Sequence, residues 1–290
     1  MGDRARVSQC IRDSTPIFEE FGNAKTLRNN NSSRFGKFIR LQFDSSLGYT
    51  LVGAYVTTYL LEKTRVCFQA AGERNYHIFF DLLCQQDSLD GELCLASPED
   101  YFYLSQSGNT DFGGDESEMF TTVESAMGII GVDSSRQLEV WKLIAGILHL
   151  GNSRISESDT DEGLKAVVKD MKSVALAAHM FGVETEHLHE VLTIKRITTE
   201  GTTIAIKLHK EEAVNQRDAV SKAVYERTFL WLVKMTNDHL GFNGDMDYPF
   251  IGVLDIFGFE SFAVNGIEQV RTLSHHRRLA DNSWMPLSLP

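Results

Sequence analysis

The chain has 290 residues, of which 42% are hydrophobic and 23% are charged, a composition typical of a globular protein with about two domains. Asp and Glu outnumber Lys and Arg by 40 to 28, and the net charge of -12 argues against a sequence-wide basic surface for nucleic acid or acidic lipid. The chain contains no apolar stretch near the ~20 residues of a membrane span. Its N-terminus also lacks the apolar core of a secretory signal, so a membrane or secreted protein is disfavoured.

The first 120 residues alternate between helical, polar and β-prone patterns. Residues 15–26 have the pattern of a helix end that runs into a Gly-Asn turn, and residues 29–33 form a polar Asn-Ser loop. Two β-prone runs, 38–43 and 49–55, are separated by a turn and predict a hairpin. The remaining predictions here are a helix over 73–86 and an irregular, exposed connection over 97–118.

Helical patterns dominate the rest of the chain. They predict helices at 117–131, 134–149, 165–181, 184–192 and 211–239. In the last of these, the predicted buried stripe consists of Ala213, Ala219, Val220, Ala223, Val224, Phe229, Leu230 and Val233. Residues 153–163 are polar and acidic and predict a surface loop, whereas the β-branched residues around 193–208 predict a hairpin. The apolar run 250–254 is typical of a central strand buried on both faces.

Residues 253–260 (VLDIFGFE) are the first of two segments with a chemical pattern. An aspartate at the end of a buried parallel strand, here Asp255, occupies the position where mononucleotide-binding sheets hold Mg²⁺. Gly258 provides a backbone N–H that can approach a γ-phosphate without steric interference from a side chain. Many strands end in Asp, so this pattern alone is weak and is more commonly explained by chance or an ordinary turn.

Residues 29–37 (NNNSSRFGK) are the second segment. Serine hydroxyls can bind Mg²⁺ and orient a water molecule, asparagine amides can contact phosphate oxygens, and arginine can pair with a carboxylate. Taken alone, a polar loop of this kind is more commonly a solvated turn.

Together, the two segments resemble the switch pair of myosins and kinesins: a Ser-Ser-Arg loop and a D-x-x-G-x-E segment. Kinesins continue with Ser-His, whereas Phe35, Gly36 and Lys37 follow here, so the chain resembles a myosin. Further blocks similar to the myosin motor domain follow in the family's order: NAKT at 23–26, LEKTRV at 61–66, ERNYHIF at 73–79, LHLGN at 148–152 and RDAV at 217–220. The resemblance extends from about residue 10 to 269.

The resemblance implies a fold and a set of roles. The fold is α/β: a partial P-loop-NTPase-type motor domain, residues 1–270, with a largely helical upper actin-binding-cleft region and part of the central sheet. Switch I is 29–37 and switch II is 255–260. Ser33 and Asp255 would bind Mg²⁺, the latter through water; Asn29 and Ser32 would lie near the ATP γ-phosphate; Gly258 would sense that phosphate; and Arg34 would pair with Glu260.

The resemblance also implies an actin-filament partner for the hairpin at about 195–208. Its basic residues Lys195, Arg196, Lys207 and Lys210 suit an acidic filament, although hairpin charges are commonly just a solvated face. Light chains or calmodulin are expected only in a longer parent protein. The implied location is the cytoplasm and its actin cytoskeleton. The four cysteines, Cys10, Cys67, Cys84 and Cys94, are too widely spaced for CxxC metal pairs and are expected to be reduced.

The phosphate-binding motif GxxxxGK[ST] of myosins does not occur in these 290 residues. The resemblance also stops near residue 270, and residues 271–290 read as a divergent, disordered tail. One hypothesis is therefore an incomplete piece of an actin-activated ATPase motor, with no useful ATPase activity by itself. The alternative is a non-catalytic module that binds actin or interferes with an intact motor. Isolated sheet strands would in either case favour aggregation.

Overall fold

The computed structural model describes residues 3–161, 163–199, 202–242 and 248–256. The helices in these ranges are α1 (Asp3–Gly22), α2 (His77–Leu83), α3 (Gln86–Leu93), α4 (Phe102–Ser105), α5 (Glu116–Ile129), α6 (Ser134–Gly151), α7 (Met171–Phe181), α8 (Thr185–Thr193) and α9 (Lys210–His239). The predicted helices at the end of α1 and over α2, α5, α6, α8 and α9 are therefore confirmed.

Within the described ranges, the strands pair in four small antiparallel sheets. They are β1 (Asn23–Ala24), β2 (Ser32–Ser33), β3 (Gly36–Asp44), β4 (Thr50–Tyr59), β5 (Ile155–Thr160), β6 (Gly163–Val168), β7 (Ile194–Thr199), β8 (Thr202–Lys207) and β9 (Phe250–Asp255). The sheets are β1-β2, β4-β3-β9, β5-β6 and β7-β8. The hairpins β3-β4 and β7-β8 match their predictions from alternation and turn residues.

The larger core among the described residues joins α1, α2, α5, α6 and α9 to strands β3 and β4. At its centre the ring of Tyr225 stacks between those of Tyr76 and Phe79, with centroid separations of 4.9 and 5.4 Å. The Tyr225 hydroxyl donates to the backbone carbonyl of Phe21 at 2.8 Å. This bond satisfies the polar end of a fully buried ring, so the residue anchors α9 to the end of α1.

Helix α9 is also fixed to the sheet near its C-terminal end. The side-chain amide of Asn237 accepts the backbone N–H of Val56 at 2.7 Å and donates to the carbonyl of the same residue at 2.8 Å. One asparagine thus replaces a neighbouring strand for this residue of β4. The helix begins at Lys210, directly after β8, and its length therefore connects the β7-β8 hairpin to the β4-β3-β9 sheet.

The buried stripe predicted for α9 is partly wrong. Ala219, Ala223 and Leu230 are exposed, whereas the buried face includes Arg217 and Ser221. The Arg217 guanidinium is satisfied there by the carbonyls of Gly151 and Ser153 and by the carboxylate of Asp218. A buried charge with these partners is tolerated, and its burial is not visible in a hydrophobicity pattern.

Three further predictions require correction. The acidic segment expected to be a surface loop contains β5, and the helix expected from residue 165 begins only at Met171, because residues 163–168 pair with β5 as β6. The connection expected to be irregular and exposed contains α4 and the buried Tyr101 and Tyr103. The hydroxyl of the buried Tyr103 donates to Asp218 at 2.7 Å, so its polar end is satisfied.

Strand β9 exists as predicted, but its environment differs from the prediction. It pairs antiparallel with β3 and lies at the edge of the described sheet, and its residues are exposed rather than buried on both faces. Phe250, Ile251, Val253 and Leu254 are each about half exposed, at 53%, 57%, 46% and 45%. Asp255 therefore does not follow a buried parallel strand within the part of the chain that the structure describes.

Two buried carboxyl groups, Glu20 of α1 and Asp81 of α2, interact electrostatically. Burial raises the pKa of Glu20, and burial together with the neighbouring Glu20 raises the pKa of Asp81 well above its ordinary value. Folding therefore favours the protonated pair. This stabilisation is complete below the pKa of the unfolded carboxyls and is lost as the pH rises through the raised values of the folded state.

Asp81→Asn is accordingly expected to make stability less dependent on pH and to raise it at about pH 8 relative to the wild type. Asparagine keeps a hydrogen-bonding group in place and removes one ionisation. Urea-unfolding midpoints between about pH 5 and pH 8 would measure this effect. Glu139→Gln, at an exposed ion pair with Lys142, is the control and should leave the wild-type profile unchanged. Parallel profiles for Asp81→Asn and wild type would contradict the prediction.

Among the described residues, every helix is too short or too polar to cross a membrane. The four cysteines carry no disulfide: Cys10 and Cys67 are buried, Cys84 is half-buried and Cys94 is exposed. Burial raises the pKa of the Cys67 thiol to about 12, so this group is un-ionised and inert at neutral pH.

Candidate functional site

The later part of segment 29–37 lies against the C-terminal end of α1. Gly22, the last residue of α1, has no space for a side chain, because an added Cβ would overlap the ring of Phe35. Its carbonyl accepts the N–H of Arg34 at 2.8 Å, and Asn23 pairs with Ser33 across β1-β2. The two ends of the loop are thereby held together, and residues 27–31 project as its exposed part.

Hydrogen bonds within the loop set the orientation of Asn29. The hydroxyl and N–H of Thr26 donate to the Asn29 carbonyl at 3.2 and 2.8 Å, and Asn29 returns its own N–H to the hydroxyl. The Asn29 side-chain oxygen accepts the N–H of Asn31 at 2.9 Å. Asn29 is exposed, and its side-chain nitrogen is the group that can donate to an anion while the oxygen accepts from Asn31.

Arg34 is deeply buried and its guanidinium is bound on two sides. Its Nε donates to Oε2 of Glu62 at 2.8 Å, and its Nη1 donates to the hydroxyl of Ser32 at 3.0 Å. The expected partner Glu260 lies outside the described residues, as does Gly258. The structure therefore brings Ser32 and Arg34 together and adds Glu62, which the sequence analysis did not assign to the site.

Glu62 is the central residue of a buried network of charges. The same carboxylate oxygen that binds Arg34 accepts from Nε of Arg65 at 2.7 Å, and Arg65 binds Glu73 at 2.9 Å through its Nη2. Burial by itself would raise the pKa of Glu62, but the charges of Arg65 and Arg34 outweigh it and hold the pKa below its ordinary value. Glu62 is thus ionised, and it is a permanent counter-ion for two arginines.

A second buried pair extends this network toward α5. Arg74 binds Glu116 at 3.2 Å and its guanidinium lies 3.8 Å from the ring centre of Phe80. Glu116 also accepts the backbone N–H groups of Gly113 and Gly114. Burial opposes ionisation here, but these N–H groups and Arg74 lower the pKa of Glu116.

Sequence reasoning missed the network residues Glu62, Arg65, Glu73, Arg74 and Glu116. A usable signal was present for four of them, since they occur in the LEKTRV and ERNYHIF blocks that carry the family resemblance. Charged residues next to apolar ones in those blocks indicate buried pairing. Their partners, however, are distant in sequence and cannot be derived from spacing.

The two segments singled out by sequence lie next to each other. Lys37 in β3 pairs with Asp255 in β9 in the strand register, and its Nζ lies 3.7 Å from the Asp255 carboxylate. A Cβ placed on Gly36 would be 2.9 Å from the side chain of Ile256. The end of segment 29–37 is therefore packed directly against the start of segment 255–260.

The predicted metal ligands fit Mg²⁺ by donor chemistry. Ser33 offers a half-buried hydroxyl and Asp255 an exposed carboxylate, and Mg²⁺ prefers a few oxygen ligands completed by water and phosphate. Among the described residues, no three or more His, Cys, Asp or Glu side chains cluster in a way that could hold a metal ion. A metal at Ser33 and Asp255 would therefore need water and phosphate oxygens as its other ligands.

The β7-β8 hairpin divides its basic residues between two faces. Lys195, Ile197, Ile204 and Ile206 share one face, whereas Arg196 and Lys207 lie on the other. The three isoleucines are exposed. Arg196 is bound to Glu190 of α8 at 2.6 Å, so it is the least available of the predicted actin-facing groups. Lys210, the first residue of α9, is exposed beside the hairpin.

Comparisons with known proteins match almost the whole chain. The model of the family "Myosin head (motor domain)" matches residues 2–273. The chain is 41% identical over 268 residues to the Myosin-I heavy chain of Dictyostelium discoideum. It is also 43% identical over 280 residues to the Myosin ID heavy chain of the same organism, and 40% over 266 residues to mouse unconventional myosin-Vb.

These alignments cover 91–92% of this chain but 11%, 25% and 14% of the respective relatives. The chain thus spans between a tenth and a quarter of the length of the curated relatives that it matches.

Proposed function

Because the chain belongs to the myosin head (motor domain) family, we propose that it forms part of a motor that couples MgATP binding and hydrolysis to actin-filament binding. Its share would be the two switch segments and the upper part of the actin-binding cleft. The observation that carries this proposal is the packing of switch I against the start of switch II, at the Lys37–Asp255 and Gly36–Ile256 contacts.

In the nucleotide-bound motor, Asn29, Ser32 and Ser33 would face the phosphates, and Ser33 with Asp255 would hold the metal. Bound Mg²⁺ supplies positive charge to the β- and γ-phosphate oxygens of ATP. Arg34 enters this site already desolvated and aligned by Glu62, which reduces the cost of pairing it with Glu260 once the γ-phosphate has closed switch II. Gly258 would offer its N–H to that phosphate.

The 290-residue polypeptide itself is proposed to have no useful ATPase activity. The phosphate-binding loop GxxxxGK[ST], whose amides and lysine hold the β- and γ-phosphates, is not in its sequence. Phosphate release from MgATP by the purified chain, at a rate above that of a Ser33→Ala, Asp255→Ala double variant, would overturn this part of the proposal.

Actin is the proposed protein partner, at the β7-β8 hairpin and Lys210. The hairpin is exposed along both strands and carries positive charge on a chain that is acidic overall. Such a local reversal of sign is typical of a surface that meets an acidic partner. The matching location is the cytoplasm, at the actin cytoskeleton, with light chains or calmodulin bound only by longer forms of the protein.

Cosedimentation with actin filaments at low salt tests this surface. After large species have been removed by centrifugation, the wild-type chain is expected to pellet with filaments but not without them. Lys195→Glu with Lys207→Glu is expected to weaken this binding about tenfold, since each exposed charge contact contributes up to about 1 kcal/mol. The control carries the same charge change at exposed positions away from the hairpin, Lys172→Glu with Lys234→Glu, and should bind normally. Equal binding by the two double variants, or no wild-type binding at low salt, would refute the actin surface.

A further inference from the structure

Asn31 is an exposed residue of switch I whose side chain connects the loop to two other elements. Its Oδ1 accepts a hydrogen bond from Nδ2 of Asn23 in β1 at 2.9 Å. The same oxygen lies 3.3 Å from Nε2 of His77, the first residue of α2. One amide oxygen thus joins the projecting loop to the end of α1 and to a core helix.

His77 acts as a donor in this contact. An amide oxygen can only accept, so Nε2 must carry the proton. Burial, and then the positive charge of Arg74, lower the pKa of His77 to about 4. The ring is therefore neutral at physiological pH, with its single N–H directed at Asn31.

Asn23 is a buried residue, and one hydrogen bond, from its Nδ2 to Asn31, is the contact that its side chain makes with the loop. Its Oδ1 has no hydrogen-bond partner among the described residues, whereas its Nδ2 donates to Asn31. Because a buried amide loses water on folding, its bond to Asn31 fixes the orientation of both side chains.

We propose that His77 and Asn23 are positioning residues, which hold Asn31 and through it set the direction in which Asn29 presents its donor to a nucleotide phosphate. The proposal rests on the nucleotide role of switch I given above. The link is the backbone N–H of Asn31, which donates to Oδ1 of Asn29 and so leaves the Asn29 nitrogen as the side-chain donor that can meet a phosphate. His77 thereby acts on the loop without touching the ligand.

Hydrogen exchange of the nucleotide-free chain, followed by mass spectrometry at low protein concentration, tests this holding role directly. His77→Ala is expected to speed exchange of the amides in residues 26–34 about two- to tenfold, the range of one hydrogen bond of ordinary net strength. His77→Gln, whose side-chain amide can donate to the same oxygen, should stay near wild type. His179→Ala, at an exposed position of α7, is the control and should leave the loop unchanged.

Asn31→Ala provides a second variant at an exposed position, where misfolding is not a concern. It should speed the same amides, and the double variant with His77→Ala should exchange no faster than Asn31→Ala alone, because Asn31→Ala already removes the His77 contact. Additive effects, an unchanged loop in both variants, or a His77→Gln loop as fast as His77→Ala would overturn the proposal. No nucleotide is present in this test. A failure of nucleotide binding, measured separately with fluorescent ADP, would therefore be distinguishable.

Discussion

Glu62→Ala is expected to lower the free energy of unfolding by about 3–5 kcal/mol, the range observed when one partner of a buried ion pair is removed. The substitution leaves two guanidiniums, those of Arg34 and Arg65, without the carboxylate that each now contacts within 2.8 Å. Both arginine side chains are at least 96% buried, so water cannot easily replace the lost charge. Urea unfolding of wild type and variant at low protein concentration would measure the difference.

The control for this prediction is Glu226→Ala. Glu226 binds Lys63, the residue after Glu62, at 3.0 Å. The side chains of Glu226 and Lys63 are both more than a third exposed. Its removal is expected to cost less than about 1 kcal/mol. Similar losses in the two variants would show that Glu62 contributes only as a surface charge does, and the account of Arg34 given above would then be wrong.

Self-association through β9 is the second large expected effect. In the part of the chain that the structure describes, this strand has a neighbour on one side only, and four of its six residues are large, apolar and about half exposed. Free strand edges with apolar side chains readily pair with another chain. The purified chain is therefore expected to sediment mainly as large species.

Ile251→Lys with Val253→Lys is expected to shift most of this material to monomer, since lysine at an edge strand disfavours pairing. The matched control, Leu230→Lys with Ile129→Lys, adds the same charge at two helical residues of similar exposure and should leave the large species in place. Sedimentation velocity distinguishes the two results. A wild-type chain that sediments as a clean monomer and melts in one sharp transition would contradict the prediction.

Local sequence patterns predicted where most helices and strands form. They predicted less well which residues are buried and which partners those residues have. The 3.6-residue period located α5, α6 and α9, and alternation with turn residues located the β3-β4 and β7-β8 hairpins. The acidic β5 was missed because its residues are polar on both sides and its strand character depends on pairing with β6. The burial of Arg217 was missed for a similar reason, since carbonyls distant in sequence satisfy it.

For the candidate site, the sequence predicted which segments matter, and the structure supplied the partners of Arg34. The resemblance to myosins identified Ser32, Ser33 and Arg34, and the predicted pairing with Glu260 concerns a residue outside the described ranges. Glu62, 28 positions from Arg34, could not be assigned from sequence, because an ion pair between a loop and a short helical turn leaves no periodic signal. Only the folded chain brings these blocks together.

The anchoring of α9 has a mechanical consequence. Its 30 residues span about 45 Å at 1.5 Å per residue. It is clamped to the sheet through Asn237 and to the end of α1 through Tyr225. A helix held at these two points resists bending between them, and the β7-β8 hairpin lies beyond Tyr225 at the N-terminal end of the helix. If β4 tilted about the Tyr225 anchor, the hairpin would be displaced by a similar distance in the opposite direction, because Asn237 and Lys210 lie on opposite sides of Tyr225 at similar separations along the helix.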